Sequence, residues 1–442
     1  AYHSAIRLPG SDRVLVSGGL GAGPYNVLAS TEVYDPDTDT WASYGTLGTA
    51  RYAHAMTSFA DGTILLAGGL DAYGAPTATA EATTGTGYFP RASMPGPAAG
   101  LTLDPLSSEW AIAAGGYRFV GGALRTTADA PVYYKAADQW YTRTMPGGSR
   151  GWHASLATST GVTFFGGERN DGTYSVLSSV VRYNSGVDTF STLTSMPVAR
   201  TKAGAALLAS GTAIVAGGEG AGGVALGTTH KAPLPATSPW TAGPNLLGDA
   251  IRPAVTGTGG ETLVTTGGYK ASTVLDDTRL FASLTDGHAG GNLHTPRYAH
   301  TATATATGRV LVAGGVGADG SATSSAEWIS DTTCNQGASE PPLAPSWGNL
   351  APGLYSSATT RVVTVTNTTA QPLSGSLAIR AEGLDGREVS RPVWSGAIAA
   401  GASRRSWSHT PRSRFSRRTP RPWRSSLPRS RRRQRGTSTS SA

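Results

Sequence analysis

RVLVSGG, residues 13–19, decides the fold, because nearly the same phrase returns as TILLAGG at 63–69, AIVAGG at 213–218 and RVLVAGG at 309–315. Gly-Gly pairs behind a short apolar run begin at Gly18, Gly68, Gly115, Gly166, Gly217, Gly267 and Gly314, at intervals of 47 to 51 residues. Other pairs, such as Gly121-Gly122 and Gly290-Gly291, lack the apolar lead-in. Self-similarity at a fixed period of this length marks a stacked-repeat architecture.

Each unit holds more than glycine. A Gly/Ala/Ser-rich loop follows the pair, then a strand-like segment such as STEVYDPDTDTW, with Tyr34 and Trp41 seven apart. Tyr134 with Trp140 and Tyr183 with Phe190 are read as the same arrangement. A Pro turn comes next (Met94, Met145 and Met196 open it), and an Arg begins the following unit: Arg51, Arg150, Arg200, Arg252, Arg297. Four short strands with turn chemistry between them describe a propeller blade. The Gly pair ends the second strand, where the chain bends and neighbouring backbones approach. Carboxylates such as Asp35, Asp37 and Asp276-Asp277 fall in turns and read as turn-stabilising.

The Gly-Gly pair, the Tyr-Asp of EVYDPDTDTW, the Trp and the Arg together resemble the kelch repeat, over about residues 1 to 332. The resemblance implies an all-β chain: a seven-bladed kelch β-propeller, followed by a partial immunoglobulin-like β-sandwich. Blades 2, 6 and 7 depart from the pattern, with Tyr88, Phe281 and Trp328 near the aromatic position and no legible fourth strand in blade 7. Kelch rings close by mixing terminal strands, so that strand is expected upstream of Ala1.

Residues 333–352 read as a Pro/Gly/Ser linker, and 353–402 as antiparallel strands of a partial immunoglobulin-like sandwich. The last stretch, 403–442, is an Arg/Ser/Pro-rich tail, read as disordered or as the product of a slipped reading frame. Its charge distorts the whole: the net charge is +8, but 13 arginines and no Asp, Glu or Lys lie in 401–442, which leaves the first 400 residues at about −5. Nucleic acid is therefore an expected partner only if the tail is genuine.

Hydrophobic residues at 39%, charged residues at 14%, with 59 Gly and 27 Pro, suit short strands and turns rather than long charged helices. No apolar run reaches the roughly 18 residues of a membrane span. Cys334 is the single cysteine, which excludes an internal disulfide framework and any Cys-rich zinc site. The sandwich text resembles accessory modules of secreted bacterial proteins, so a secreted or cell-surface location is expected.

The expected function is binding of a carbohydrate or protein ligand by loops after the Gly pairs: Asp71, Tyr73, Tyr117, Arg118, Glu168, Arg169, Asn170, Asp171, Glu219, Tyr269 and Lys270. Tyr and Arg supply stacking faces and forked hydrogen bonds. No catalytic residue and no cofactor is expected on this reading, and no nucleophile elbow, HExxH or Walker motif occurs in a usable context. A metal-dependent alternative rests on the recurrent Arg-x-x-His (Arg51/His54, Arg150/His153, Arg297/His300), with His3 in the same slot of blade 1. His3, His54 and His300 would then hold copper or zinc near the axis. The Tyr2-His3 pair is also similar to the copper-ligand pair of galactose oxidase and its relatives, which implies Tyr2 and His3 as copper ligands. That family's cross-linked Cys has no counterpart ahead of Tyr2, and its C-terminal His is matched only by His409. The structural reading of the histidines is that one hydrogen bond recurs blade by blade. A spacer that displays other domains is the remaining alternative.

Overall fold

A computed structural model describes residues 1–329, apart from 24–25, 86 and 284–285, and five strands beyond them; of 282–289 and of those later strands, the backbone alone is described. The chain divides into two units, Ala1–Asn335 and Gln336–Ala442.

The first unit is a seven-bladed β-propeller. Blade 1 consists of β1 (Ser4–Arg7), β2 (Val14–Ser17), β3 (Ser30–Asp35) and β4 (Thr40–Thr46), each paired antiparallel with the next. Five more four-stranded sheets repeat this meander. Blade 7 shows three strands, Thr301–Ala304, Val310–Ala313 and Ala326–Ile329, and any fourth would lie outside the described residues. First strands touch their neighbours all the way round, and that of blade 7 packs on β1. They therefore surround the axis.

Second strands such as Ile64–Ala67 and Gly161–Phe165 are buried throughout, because blades cover both their faces. The core lies between blades. At the closure, Val14 and Tyr34 of blade 1 pack on Leu311 and Trp328 of blade 7, and the Trp328 indole N–H donates to the Tyr34 hydroxyl at 2.9 Å.

The aromatic corner has one shape in three blades. Tyr133 and Tyr183 donate through their hydroxyls to Asp138 and Asp188, five residues on, at 2.7 and 2.6 Å, and Tyr34 donates likewise to Asp39. Those aspartates sit at φ of +50 to +54, which Asp tolerates better than most residues. In blade 3 the partner of Trp140 is Tyr133, not Tyr134; Tyr134 stacks on Trp110 across the sheet. Side chains alternate faces, so an error of one residue exchanges core for surface.

The glycine pair joins blade to blade. The second glycine donates its N–H to a carbonyl at the recurrent Arg position of the next blade: Gly19 to Arg51 at 2.8 Å, Gly116 to Arg150 at 2.8 Å, Gly268 to Arg297 at 2.9 Å. A Cβ on Gly18, at φ +58, would stand 2.5 Å from that same Arg51 oxygen. No larger residue fits.

The arginine then staples its own blade. Arg51 is fully buried and donates to the Gly68 and Thr79 carbonyls (2.8 and 3.0 Å), to Thr79 Oγ1 (2.9 Å) and to Glu81 (2.5 Å). Arg297 repeats this with Gly314, Ser325 and Glu327, Arg200 with Gly217, Thr228 and His230, and Arg150 with Gly166 and Ser179. Burial lowers the Arg150 and Arg200 guanidinium pKa to about 10, still charged at neutral pH. Blades 3 and 6 carry Ala98 and Ala250 in this place, so Arg252 is not the unit-opening arginine that the repeat suggested. It stands two residues later.

In the second unit, Leu343–Trp347 and Ser403–His409 pair antiparallel with Thr360–Asn367, and Leu373–Glu382 pairs with Glu388–Ile398. Within the stretch expected to be a linker, Leu343–Trp347 is thus a strand; Cys334, the rest of 333–352 and the tail from 410 lie outside the described residues.

Candidate functional site at the axial mouth

Two residues separate the Arg position from the His position in each blade. The first of them, at Ala1, Tyr52, Ala99, Gly151, Thr201, Ile251 and Tyr298, pairs through its backbone with the residue after that blade's Gly pair. Those partners are Leu20, Leu70, Tyr117, Glu168, Glu219, Tyr269 and Val316. The second set, Tyr2, Ala53, Gly100, Trp152, Lys202, Arg252 and Ala299, has φ between +49 and +65 in every blade. Ala53 donates its N–H to Tyr2, Gly100 to Ala53, Trp152 to Gly100, Lys202 to Trp152, Arg252 to Lys202, and Tyr2 to Ala299, at 2.9 to 3.1 Å. The result is a left-handed backbone collar about the axis. Left-handed geometry is costly for residues other than Gly, and these bonds hold it in place.

The collar's large side chains meet over the axis. Tyr2 and Trp152 have ring centroids 6.4 Å apart, and the Arg252 guanidinium lies 4.0 Å from the Trp152 ring and 5.2 Å from that of Tyr2. These belong to blades 1, 4 and 6, which are not neighbours, so the contacts cross the mouth. Gly100 makes room: a Cβ there would lie 3.0 Å from the Trp152 indole. Tyr52 stands edge-on to Tyr2 at 6.4 Å, and Tyr269 and Tyr298 pair at 4.9 Å. All of these are half-buried. A charged group flanks them: Lys202 Nζ is 2.6 Å from Glu219 and 3.7 Å from Glu168, and Glu168 accepts from the Tyr117 hydroxyl and from that of Tyr174 at 3.2 Å. Burial first, then Glu168, raises the Tyr117 pKa; burial, then Glu168 and Glu219, raises that of Tyr174 to about 12. Both phenols remain donors at neutral pH. Among the described residues no carboxylate lies within ion-pair distance of Arg252, whose neighbours are rings.

Of the residues expected from sequence, Tyr117, Glu168, Glu219, Tyr269 and Tyr2 come together here. The others do not. Asp71 accepts from the N–H of Tyr73 and Ala75 and shapes its own turn, and Tyr73 extends into solvent, 95% exposed. Arg118 pairs with Asp129, Arg169 with the Gly147 carbonyl and Asp171, and Lys270 with Asp249. Asn170 bonds Thr126 and Leu124 of the adjoining hairpin. Sequence reasoning missed Tyr52, Trp152, Lys202, Arg252 and Tyr298, although all occupy the two positions between the Arg and His slots.

The histidines sit beneath the collar, in the joints between blades. His54 Nε2 is 2.9 Å from Ser17 Oγ, His153 Nε2 3.1 Å from Thr102 Oγ1, His300 Nε2 2.7 Å from Thr266 Oγ1, and His3 Nε2 2.9 Å from Thr301 Oγ1. Every partner belongs to the preceding blade. Burial lowers all four pKa values to about 3, so the rings are neutral at pH 7. The galactose oxidase resemblance implies Tyr2 and His3 as a copper-ligand pair. The Tyr2 ring lies at the mouth with Trp152 and Arg252, whereas the His3 ring lies in the joint with blade 7. Among the described residues no group of three or more His, Cys, Asp or Glu is arranged to hold a metal ion. No helix among them is long and apolar enough to cross a membrane.

Neither a family model nor a curated protein matches the chain. Among solved structures, the one titled "Structure of YjhT" is similar to it with a TM-score of 0.51 at 13% identity, over 62% of this chain and 93% of that one. Similarity at that identity is a likeness of fold: the propeller.

Proposed function

We propose that the chain is a binding module of kelch type, whose axial mouth takes a carbohydrate ligand. The observation that supports this most is the half-exposed surface made by Tyr2, Trp152 and Arg252 over the axis. A sugar ring offers an apolar C–H face and a rim of hydroxyls. Trp152 and Tyr52 present faces for the first, while Arg252, Lys202 and Glu219 present donors and acceptors for the second. A protein partner is the second reading, favoured by one observation. The hairpin Tyr117–Val120/Ala123–Thr126 exposes Phe119, Val120 and Leu124 close to Tyr174, each 40% exposed or more.

On this reading the protein is secreted or surface-displayed, and 353–402 is an immunoglobulin-like accessory module. Catalysis has no part in it. Metal analysis of purified protein tests the copper or zinc alternative on His3, His54 and His300 directly: a stoichiometric metal would favour it. For the binding reading, a glycan array followed by titration on tryptophan fluorescence is the test. Trp152→Ala and Arg252→Ala should each weaken binding by about tenfold or more, as central aromatic and Arg anchors do. A blank array with folded protein, or binding indifferent to Trp152→Ala, would refute it.

A further inference from the structure

The staple arginines give their hydrogen bonds to the fold. Arg51, Arg150, Arg200 and Arg297 each donate to the first Gly-pair carbonyl of their own blade and to the residue just ahead of its third strand. Blade 6 holds Ala250 in that place, and Arg252, two residues on, makes none of these bonds. Its guanidinium has no hydrogen-bond or ion-pair partner among the described residues. What it touches is aromatic: the Trp152 ring at 4.0 Å and the Tyr2 ring at 5.2 Å.

The position is nevertheless held firmly. Ile251 and Tyr269 exchange backbone hydrogen bonds at 2.8 and 2.9 Å, and Arg252 donates its own N–H to the Lys202 carbonyl at 3.1 Å. Its φ of +55 is strained for any residue but glycine. A strained, pinned backbone thus sets a half-buried cation over the axis, and no blade takes a hydrogen bond from it. Half-burial removes water from the guanidinium without supplying an acceptor, which leaves N–H donors to be satisfied from outside the protein.

The other charges at the mouth are matched. Lys202 Nζ lies 2.6 Å from Glu219, and Glu168 accepts from the Tyr117 and Tyr174 hydroxyls. Arg252 is the cation there without a counter-charge. Rings against the face of a guanidinium fix its plane and leave its edge open, and that edge is a fork of parallel N–H groups matched to an oxyanion. The Tyr298 hydroxyl lies within the same field: burial, then Tyr2 and Tyr269, raises its pKa, and the Arg252 charge opposes the rise. It remains a donor at neutral pH.

Resting on the reading of the mouth as a carbohydrate site, we propose that its ligand is an acidic sugar. The carboxylate or sulfate oxygens take the Arg252 edge in a two-point, charge-assisted contact, and the surrounding aromatic rings meet the C–H face of the sugar. A neutral hexose offers the same edge only hydroxyls, which accept without charge and leave the cation unmatched.

Paired ligands titrated on tryptophan fluorescence test this. Oligosaccharides of polygalacturonate and of hyaluronan are compared with the same chains after carboxyl reduction, which yields the neutral hexose of identical stereochemistry. Sulfated galactan oligosaccharides beside their desulfated forms make the second arm. The acidic member of at least one pair should bind about tenfold more tightly or better, and the preference should shrink as salt rises from about 0.05 to about 0.5 M. A preference in the carboxylate pairs assigns uronic acids; one confined to the sulfated pair assigns a sulfate ester. Arg252→Gln should bring the paired affinities within about twofold of each other, and Arg252→Lys, which keeps the charge and loses the fork, should retain part of the preference. The pair ratio is read on the unaltered chain too, so a variant that fails to fold leaves the test in place. Equal affinities within every pair, or a preference for the neutral member, would overturn the proposal and leave the carbohydrate reading standing. An acid preference that survives Arg252→Gln would overturn it as well. No binding by either member of any pair would overturn both.

Discussion

Acidification should unfold this propeller through its interblade histidines. His54, His153 and His300 are buried at 6 to 8% exposure, each with Nδ1 lacking any partner, and each has its pKa lowered to about 3 by burial and then by the neighbouring Arg51, Arg150 or Arg297. In the unfolded chain an imidazole titrates near 6.5. The folded value lies below the unfolded one, so the stabilisation is complete above about pH 6.5 and is lost as pH falls from there toward 3. At pH 5 the shortfall is about 1.5 pH units, or about 2 kcal/mol for each ring and about 6 kcal/mol for three, comparable with the whole stability of many domains. His3, whose pKa burial likewise lowers to about 3, adds a fourth ring. Asp104 acts in the opposite sense, because burial raises its pKa to about 6 and it takes up a proton on the folded side. Calorimetric unfolding at pH 5 in buffers of differing ionisation heat counts the protons bound on unfolding. About three are expected from the four histidines less Asp104. His54→Gln, which retains a polar group for Ser17 but cannot titrate, should lower the count by about one. A midpoint constant between pH 7 and 5, or a proton count unchanged by His54→Gln, would refute the assignment of neutral, buried imidazoles.

Three further outcomes follow from the same geometry. Gly115→Ala should cost several kcal/mol, because its Cβ would meet the Arg150 carbonyl and His153 Cε1 at φ +61, whereas Gly121→Ala, at φ +58 with nothing within 4 Å, should cost only the left-handed penalty of about 1–2 kcal/mol; paired denaturant titrations compare them. Arg51→Met should destabilise by about 3–5 kcal/mol and recover in part as pH falls, since it leaves Glu81 buried without its cation, while Arg150→Met, which has no acid to strand, should cost less and show no such recovery. Asp104→Asn should raise the thermal midpoint at pH 8 and keep only about half of that advantage at pH 5, because the burial cost of the carboxylate fades as pH falls below about 6 and ends near the unfolded value of 3.8.

The repeat was legible because its chemistry is local and categorical. Only glycine tolerates the Gly18 position, so the pair marks every second-strand end without reference to anything distant. The same logic failed by small offsets. Tyr134 reads like Tyr133 because both are tyrosines on an alternating strand, and Arg252 reads as a unit-opening arginine because an arginine two residues late looks like an arginine in place. The site was half legible. Residues directly after the Gly pair (Tyr117, Glu168, Glu219, Tyr269) reach the mouth because their backbone pairs with the collar's base. Residues one to three further on turn outward and are held by their own turn or by neighbouring loops. Proximity in sequence to a landmark does not distinguish these, since the turn geometry decides it.

The collar separates what the fold requires from what it merely permits. At all seven positions the backbone is left-handed, and glycine would adopt that conformation at least cost, as Gly100 does. Ala53 and Ala299 are small departures. Tyr2, Trp152, Lys202 and Arg252 are large ones, each with a strained φ and a side chain that no blade needs for its core. Three of the four nevertheless find one another across the axis, and the fourth engages Glu219 beside them. Elsewhere a recurring residue has a recurring structural partner: Arg with the Gly carbonyl, His with a hydroxyl. Here the backbone recurs and the side chains do not, so the repeat cannot explain their identities. That divergence on an invariant frame is the physical reason for placing function at the mouth rather than on the histidines, whose sameness from blade to blade is accounted for by the bond they share.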